Sequence, residues 1–207
     1  MGSPPSRPGK RPVGRPRRLD IDTLLATARH LGLETFTMSQ VSDHLQVSEG
    51  TIYNYVRSRE ELRGRAAAQA MESIDTAQTA LDDWVDYLIA VNGQLREIAQ
   101  AHPGVSVYYL HGPYRPQTLV YFNQVISGLV SRMPGADADL GFVLASHASN
   151  TTLSFLSLAD EHVFRRVLTA TLPALHHALH GSAPTGVSWD SVVESVSLSM
   201  ETEDCRE

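Results

Sequence analysis

Between Phe36 and Arg59 the chain reads FTMSQVSDHLQVSEGTIYNYVRSR, and its apolar residues leave little choice of local structure. Val41 and Leu45 are four apart, as are Ile52 and Val56, so each pair shares one face of a helix. Val47 falls between the pairs, in a stretch short enough to be a tight turn. Two short helices meeting across a small apolar core make a helix-turn-helix. Ser48 is a good cap for the second helix, because its hydroxyl can accept from an unpaired backbone N–H. Glu49 then sits in the first turn, where the helix dipole favours an acid.

The remaining residues of that second helix suit a partner more than a core. Gly50 lets another molecule come close to the backbone. Thr51 and Asn54 can hydrogen-bond base edges or phosphates, while Tyr53, Tyr55 and Arg57 can reach phosphate oxygens. The competing reading is an ordinary helix pair with exposed tyrosines, because helix-turn-helix spacing alone is a weak signal.

The run VSEGTIYNYVRSREEL resembles the signature of TetR-family transcriptional regulators. Val47, Ser48, Gly50, Thr51, Tyr53, Tyr55, Ser58, Glu60, Glu61 and Leu62 carry the resemblance, which covers roughly residues 15 to 65. It implies an all-helical homodimer that represses transcription until a small molecule binds its C-terminal part. It also implies that the helix joining the two parts moves on binding. Gln46 stands where the family has a turn glycine, which requires a left-handed residue with a side chain. Val56 replaces an aromatic, and the turn after His30 is about two residues shorter than the family pattern.

Charge supports the nucleic-acid reading. Residues 1–65 hold 11 Lys+Arg against 7 Asp+Glu, whereas residues 66–207 hold 6 against 16. A basic end on an acidic body fits a DNA-binding head. Residues 1–18 carry five prolines, six basic residues and no acid, and read as a disordered arm. Within it Arg15, Arg17 and Arg18 flank Pro16 and are candidates for the minor groove, the alternative being a tail that touches phosphates loosely. The first helix is expected over 20–33, capped by Asp20 and stopped by Gly32. Thr37 or Ser39 opens the next, and Thr37, Ser39 and Gln40 are candidate phosphate or base contacts, or simple caps. Ser58 to Glu61 reads as a capping box opening a long helix that runs past Ile74.

The remainder shows helical stripes and no alternating strand, so the expected class is all-α. Expected boundaries are a head over 19–65, a helical ligand-binding and dimerisation domain over 66–200, and an acidic tail over 201–207. Pro173 should kink its helix or start a new segment. The stripes from Leu140 to Leu158 and from Val163 to Leu179 are the expected dimer surface, with small residues Ala145, Ser146, Ala148, Ser149 and Thr152 permitting close approach, the alternative being an internal packing face. Two reading helices on a two-fold axis would then fit a palindromic duplex, at major grooves about 34–36 Å apart or wider. Trp84, Tyr87, Tyr108, Tyr121, Phe122, His147, Asn150 and Thr151 are the candidate lining of a cavity for a small hydrophobic effector, although each taken singly suits a core better.

Other functions find less support. No nucleophile elbow, phosphate-cradling glycine loop or His-Glu-x-x-His occurs, so an enzyme and a cofactor are not expected. His176, His177 and His180 form a His-His-x-x-His run, an alternative metal-sensing reading that lacks cysteines nearby. A DNA-binding dimer that senses nothing is a further alternative. No run is long enough to cross a membrane, the basic N-terminus lacks the apolar stretch of a secretory signal, and the single Cys205 precludes an internal disulfide. A cytoplasmic location is therefore expected.

Overall fold

The computed structural model describes residues 19–78, 80–157 and 162–204, with side chains described up to 197. Arg15, Arg17, Arg18, Leu158 and Cys205 lie outside the described residues. The helices run α1 (Ile21–Leu31), α2 (Met38–Leu45), α3 (Glu49–Tyr53), α4 (Arg59–Met71), α5 (Trp84–Ala101), α6 (Val105–His111), α7 (Pro116–Val130), α8 (Ala138–Ser154), α9 (His162–Ala178) and α10 (Trp189–Asp204). No strand occurs among the described residues, and the fold is all-α as expected.

The head is built by local rules. Thr37 Oγ1 accepts from the Gln40 N–H at 3.1 Å, and Gln40 Oε1 accepts from the Thr37 N–H at 2.9 Å, which closes a reciprocal capping box on α2. Gln46 ends that helix at φ 55°, ψ 42°, the left-handed conformation its position demanded. A side chain there costs about 1–2 kcal/mol, offset by its N–H and that of Val47 bonding carbonyls of the last turn. Ser48 caps α3 by accepting from the Thr51 N–H at 3.2 Å. Two expected caps differ. Asp20 makes no side-chain cap on α1. Ser58 does accept from the Glu61 N–H at 3.1 Å, but the Glu61 carboxylate turns to the Arg57 N–H at 2.7 Å, so the box at α4 is half formed.

Leu24, Ala28, Leu33, Phe36, Val41, Ile52, Val56, Leu62 and Ala66 form the head's core, and Val105 and Tyr108 of α6 complete it. The first 65 residues therefore do not close that core alone. The expected boundary at 65/66 falls inside α4, whose Ala70 belongs to the head core and whose Met71 belongs to the body core. α4 stops at Met71, short of the expected Ile74, and α10 continues to Asp204, past the expected start of the tail.

The body packs α5 among α7, α8 and α9. Arg132 binds the segment after α4 to the end of α7. Its Nε donates to Leu81 O at 2.7 Å, its Nη2 to Ala77 O at 2.7 Å and Gln78 O at 2.9 Å, and its Nη1 to Gly128 O at 2.6 Å. The guanidinium also lies 4.3 Å from the Tyr87 ring. Pro173 starts no new segment: α9 is continuous through it, with Pro173 on the exposed side. Four of the five small residues expected on the dimer surface of α8 pack inside the chain, and Ser146 is half-buried. Ala145, Ala148, Ser149 and Thr152 are buried within the chain, where they let α8 settle among its neighbours.

Candidate nucleic-acid interface and effector cavity

α3 is held by Ile52, which is fully buried, while Tyr53 on the next position is 48% exposed. Gly50, Asn54 and Arg57 are exposed with it, and Thr51 is half-buried beside the cap, 2.9 Å from the Ser48 hydroxyl. One end of the head thus presents amide, hydroxyl, phenol and guanidinium groups together. Ser39 is exposed at the start of α2, where Thr37 and Gln40 already satisfy each other. Tyr55 departs from the DNA-facing expectation. Its hydroxyl donates to the Leu19 carbonyl and its ring packs on the head core, so it ties the end of α3 to the start of α1. Tyr53 and Tyr55 are two apart, a spacing that never shares a helix face, and α3 ends at Tyr53.

The head is tied to α4 and to the body at three places. Arg59 of α4 donates to the carbonyls of Phe36 at 2.7 Å and Glu34 at 2.6 Å, and lies over the Phe36 ring. The Leu33 N–H donates to Pro103 O at 2.9 Å, which docks the α5–α6 turn on the α1–α2 turn. Gly104 makes that fit possible, since a Cβ at its φ of 91° would lie 2.9 Å from Glu34 N. Further along, Arg63 of α4 donates to Gly112 O at 3.0 Å, and Gly64 brings α4 so close to α6 that a Cβ there would sit 3.0 Å from the Tyr108 hydroxyl.

Beyond α6 lies a cavity of about 280 Å³, walled by Tyr109, Leu110, Tyr114, Leu119, Phe122, Phe142, Ser146, Asn150, Trp189 and Val192. The Tyr114 hydroxyl donates to Tyr109 O at 2.8 Å, and the Tyr109 hydroxyl donates to Ser149 Oγ at 2.9 Å. Burial pushes the Tyr109 phenol well above its ordinary value, against the smaller opposing effect of the Ser149 hydroxyl. Tyr114 also meets the Tyr108 ring edge-on at 6.4 Å, so cavity wall and α4 contact are adjacent.

This architecture recurs in solved structures. A TetR protein from Acinetobacter baumannii AYE, solved in complex with minocycline, matches 80% of this chain over 97% of its own length, at 15% identity and a TM-score of 0.63. The fold is that of the TetR-family regulators. A second protein of this fold, a TetR-family transcriptional regulator from Streptomyces coelicolor, matches 87% of this chain and 97% of its own, at 17% identity and a TM-score of 0.53. The Bacillus subtilis regulator FadR, solved with stearoyl-CoA, matches 75% of this chain and 95% of its own, at 12% identity and a TM-score of 0.52. No family model and no curated protein matches the chain in sequence.

Within the TetR fold, the cavity takes up only two of the expected lining residues, Phe122 and Asn150. Tyr87 is fully buried, and its hydroxyl lies within bonding distance of the carbonyls of Thr76 at 3.0 Å and Val125 at 3.1 Å. Tyr108 belongs to the head core and pairs with Thr118 at 3.0 Å. Tyr121 is buried behind Phe122, with ring centroids 5.7 Å apart. His147 bonds Thr171 of α9 at 2.8 Å, Thr151 is half-buried outside the lining, and Trp84 meets the His176 ring edge-on at 5.6 Å. His180 lies past the end of α9 with φ 53°, so helical spacing does not bring it over His176. No cluster of three or more His, Cys, Asp or Glu suited to a metal forms among the described residues. No described helix is long and apolar enough to cross a membrane. Trp189 and Val192 were missed because α10 follows a glycine- and proline-containing linker, and nothing in the sequence says it folds back over α7 and α8.

Proposed function

We propose that the chain is a DNA-binding transcriptional regulator whose operator affinity is lowered by a small hydrophobic effector. One observation carries the reading. The helix that follows the exposed polar face of α3 is hydrogen-bonded, through Arg63 and Gly112, to the segment that walls an aromatic cavity. An effector favouring a different position of that segment would, by linkage, weaken DNA binding by the same factor that DNA weakens effector binding. Action as a homodimeric repressor on a palindromic duplex follows from the resemblance and the two-fold logic of helix-turn-helix readers. With α8's small face buried inside the chain, a second copy would meet outward residues of α9 and α10 instead. Thr51, Tyr53, Asn54 and Arg57 are the proposed DNA contacts, with Arg15, Arg17 and Arg18 reaching the minor groove.

Selection of bound duplexes from random DNA tests the reading. The expected product is a pair of inverted half-sites. Tyr53→Ala and Arg57→Ala should each weaken binding roughly tenfold at all sequences, and Arg57→Ala, which removes a charge, should also flatten the salt dependence by about one unit of slope. Parent-like binding by both variants would remove the contact assignment. Failure of the parent to enrich any duplex would remove the function.

A further inference from the structure

The cavity's own chemistry narrows what can fill it. Five rings face it, and four of them already meet edge to face: Tyr109 and Phe122 at 5.0 Å, Tyr114 and Phe122 at 5.7 Å, Phe122 and Trp189 at 6.3 Å, while Phe142 lies tilted on Trp189 at 5.1 Å. A further flat ring continues that packing better than a saturated chain does, because ring edges and faces carry opposite partial charge. The polar tips of these rings are committed elsewhere. Tyr109 donates to Ser149, Tyr114 to the Tyr109 carbonyl, and Trp189 Nε1 to Asn123 Oδ1 at 2.8 Å.

Two lining side chains keep their hydrogen-bonding capacity. Ser146 and Asn150 are one turn apart on α8, and neither side chain bonds within the chain among the described residues. Asn150 is exposed and Ser146 half-buried, so this polar pair marks the mouth. No ionisable group other than the two phenols lines the cavity among the described residues. Just outside, the Asp139 carboxylate accepts from the Trp189 backbone N–H at 2.7 Å, and residues 66–207 are strongly acidic. An anion would meet no cationic partner there and an unfavourable field. A volume of about 280 Å³ lies at the small end of ligand sites, which run roughly 300–1,000 Å³.

We infer that the cavity takes a neutral aromatic molecule of one or two fused rings bearing one hydrogen-bonding substituent, of the phenol or aryl-alcohol class. The rings pack against Phe122, Phe142 and Trp189, and the substituent bonds Ser146 and Asn150. The regulatory consequence rests on the function proposed above; the binding itself does not.

Calorimetric titration of the full chain with 2-naphthol, 2-naphthoate and naphthalene tests this. Naphthol should bind saturably, with the anion at least about tenfold weaker. The Ser146→Ala/Asn150→Leu double variant should lose about tenfold for naphthol, as the loss of a net hydrogen bond or two requires, and change less than about twofold for naphthalene. In a Trp84→Phe background Trp189 is the only tryptophan, and its emission should follow the calorimetric curve. Equal or tighter binding of the anion, an unchanged naphthol affinity in the double variant, or a silent Trp189 would each overturn the assignment. Circular dichroism of both variants keeps a folding failure from being read as either result. Operator binding by the ligand-free parent is measured alongside. If the parent binds DNA but not naphthol, the ligand assignment fails alone; if it binds naphthol but no DNA, the proposed function fails alone.

Discussion

The chain has seven tyrosines, and α3 and the helical body use theirs in opposite ways. In the head, Tyr53 leaves nearly half of its surface exposed beside Asn54. Tyr87, Tyr108, Tyr109, Tyr114 and Tyr121 are buried or half-buried, and four of them hold their hydroxyls against a carbonyl or a Ser/Thr hydroxyl. Burial raises the phenol pKa of all five, that of Tyr87 to about 12 against the opposing pull of Arg132. The same side chain is an exposed contact group at one end and a polar-tipped core residue at the other.

Alkali gives the largest test of that contrast. A phenol whose folded pKa lies above its unfolded value of about 10 favours folding fully below pH 10. That contribution is lost as pH climbs toward and past the folded value, about 12 for Tyr87. Stability measured by urea melts should therefore fall steeply above about pH 10, and a flat profile to pH 12 would show the phenols to be less confined than the structure has them. Next in size, Ile52→Ala should cost about 2–5 kcal/mol, as for other fully buried truncations, and abolish operator binding through the collapse of α3's seat. Loss of binding without loss of stability would mean Ile52 is not that anchor. Gly128→Ala should cost about 1–3 kcal/mol by overpacking, because its Cβ would fall well inside contact distance of the Tyr87 hydroxyl. Thermal melting reads it, and an unchanged midpoint would show the α7–Tyr87 contact to be loose. Smallest of all, Tyr53→Ala should move stability by no more than about 0.5 kcal/mol while it weakens DNA binding, which separates a contact residue from a core one in a single variant.

The head was legible because its signals are local. Ser48, Glu49, Ile52 and the left-handed Gln46 each act within a turn or two of their own position, so spacing alone places them. Tyr55 escaped that logic, since its partner is the Leu19 carbonyl, 36 residues away. The cavity escaped it more fully. The helical stripes of the body were visible, but every aromatic in a stripe scores alike whether it meets another helix or an empty space. Tyr87 and Tyr121 turned out to be core, and Tyr109, Phe142 and Trp189 turned out to be wall.

The amino-acid order by itself determined that this chain is helical, where its first helices begin and end, and which short polar helix it holds outward. Those outcomes depend on hydrogen bonds and apolar contacts between residues a few positions apart. Tertiary structure alone decided that α6 completes the head core, that α8 buries its small residues inside the chain, and that α10 brings Trp189 over the cavity. These depend on which of several similar apolar faces meet, and faces of equal hydrophobicity are distinguished only by shape once all of them are packed together.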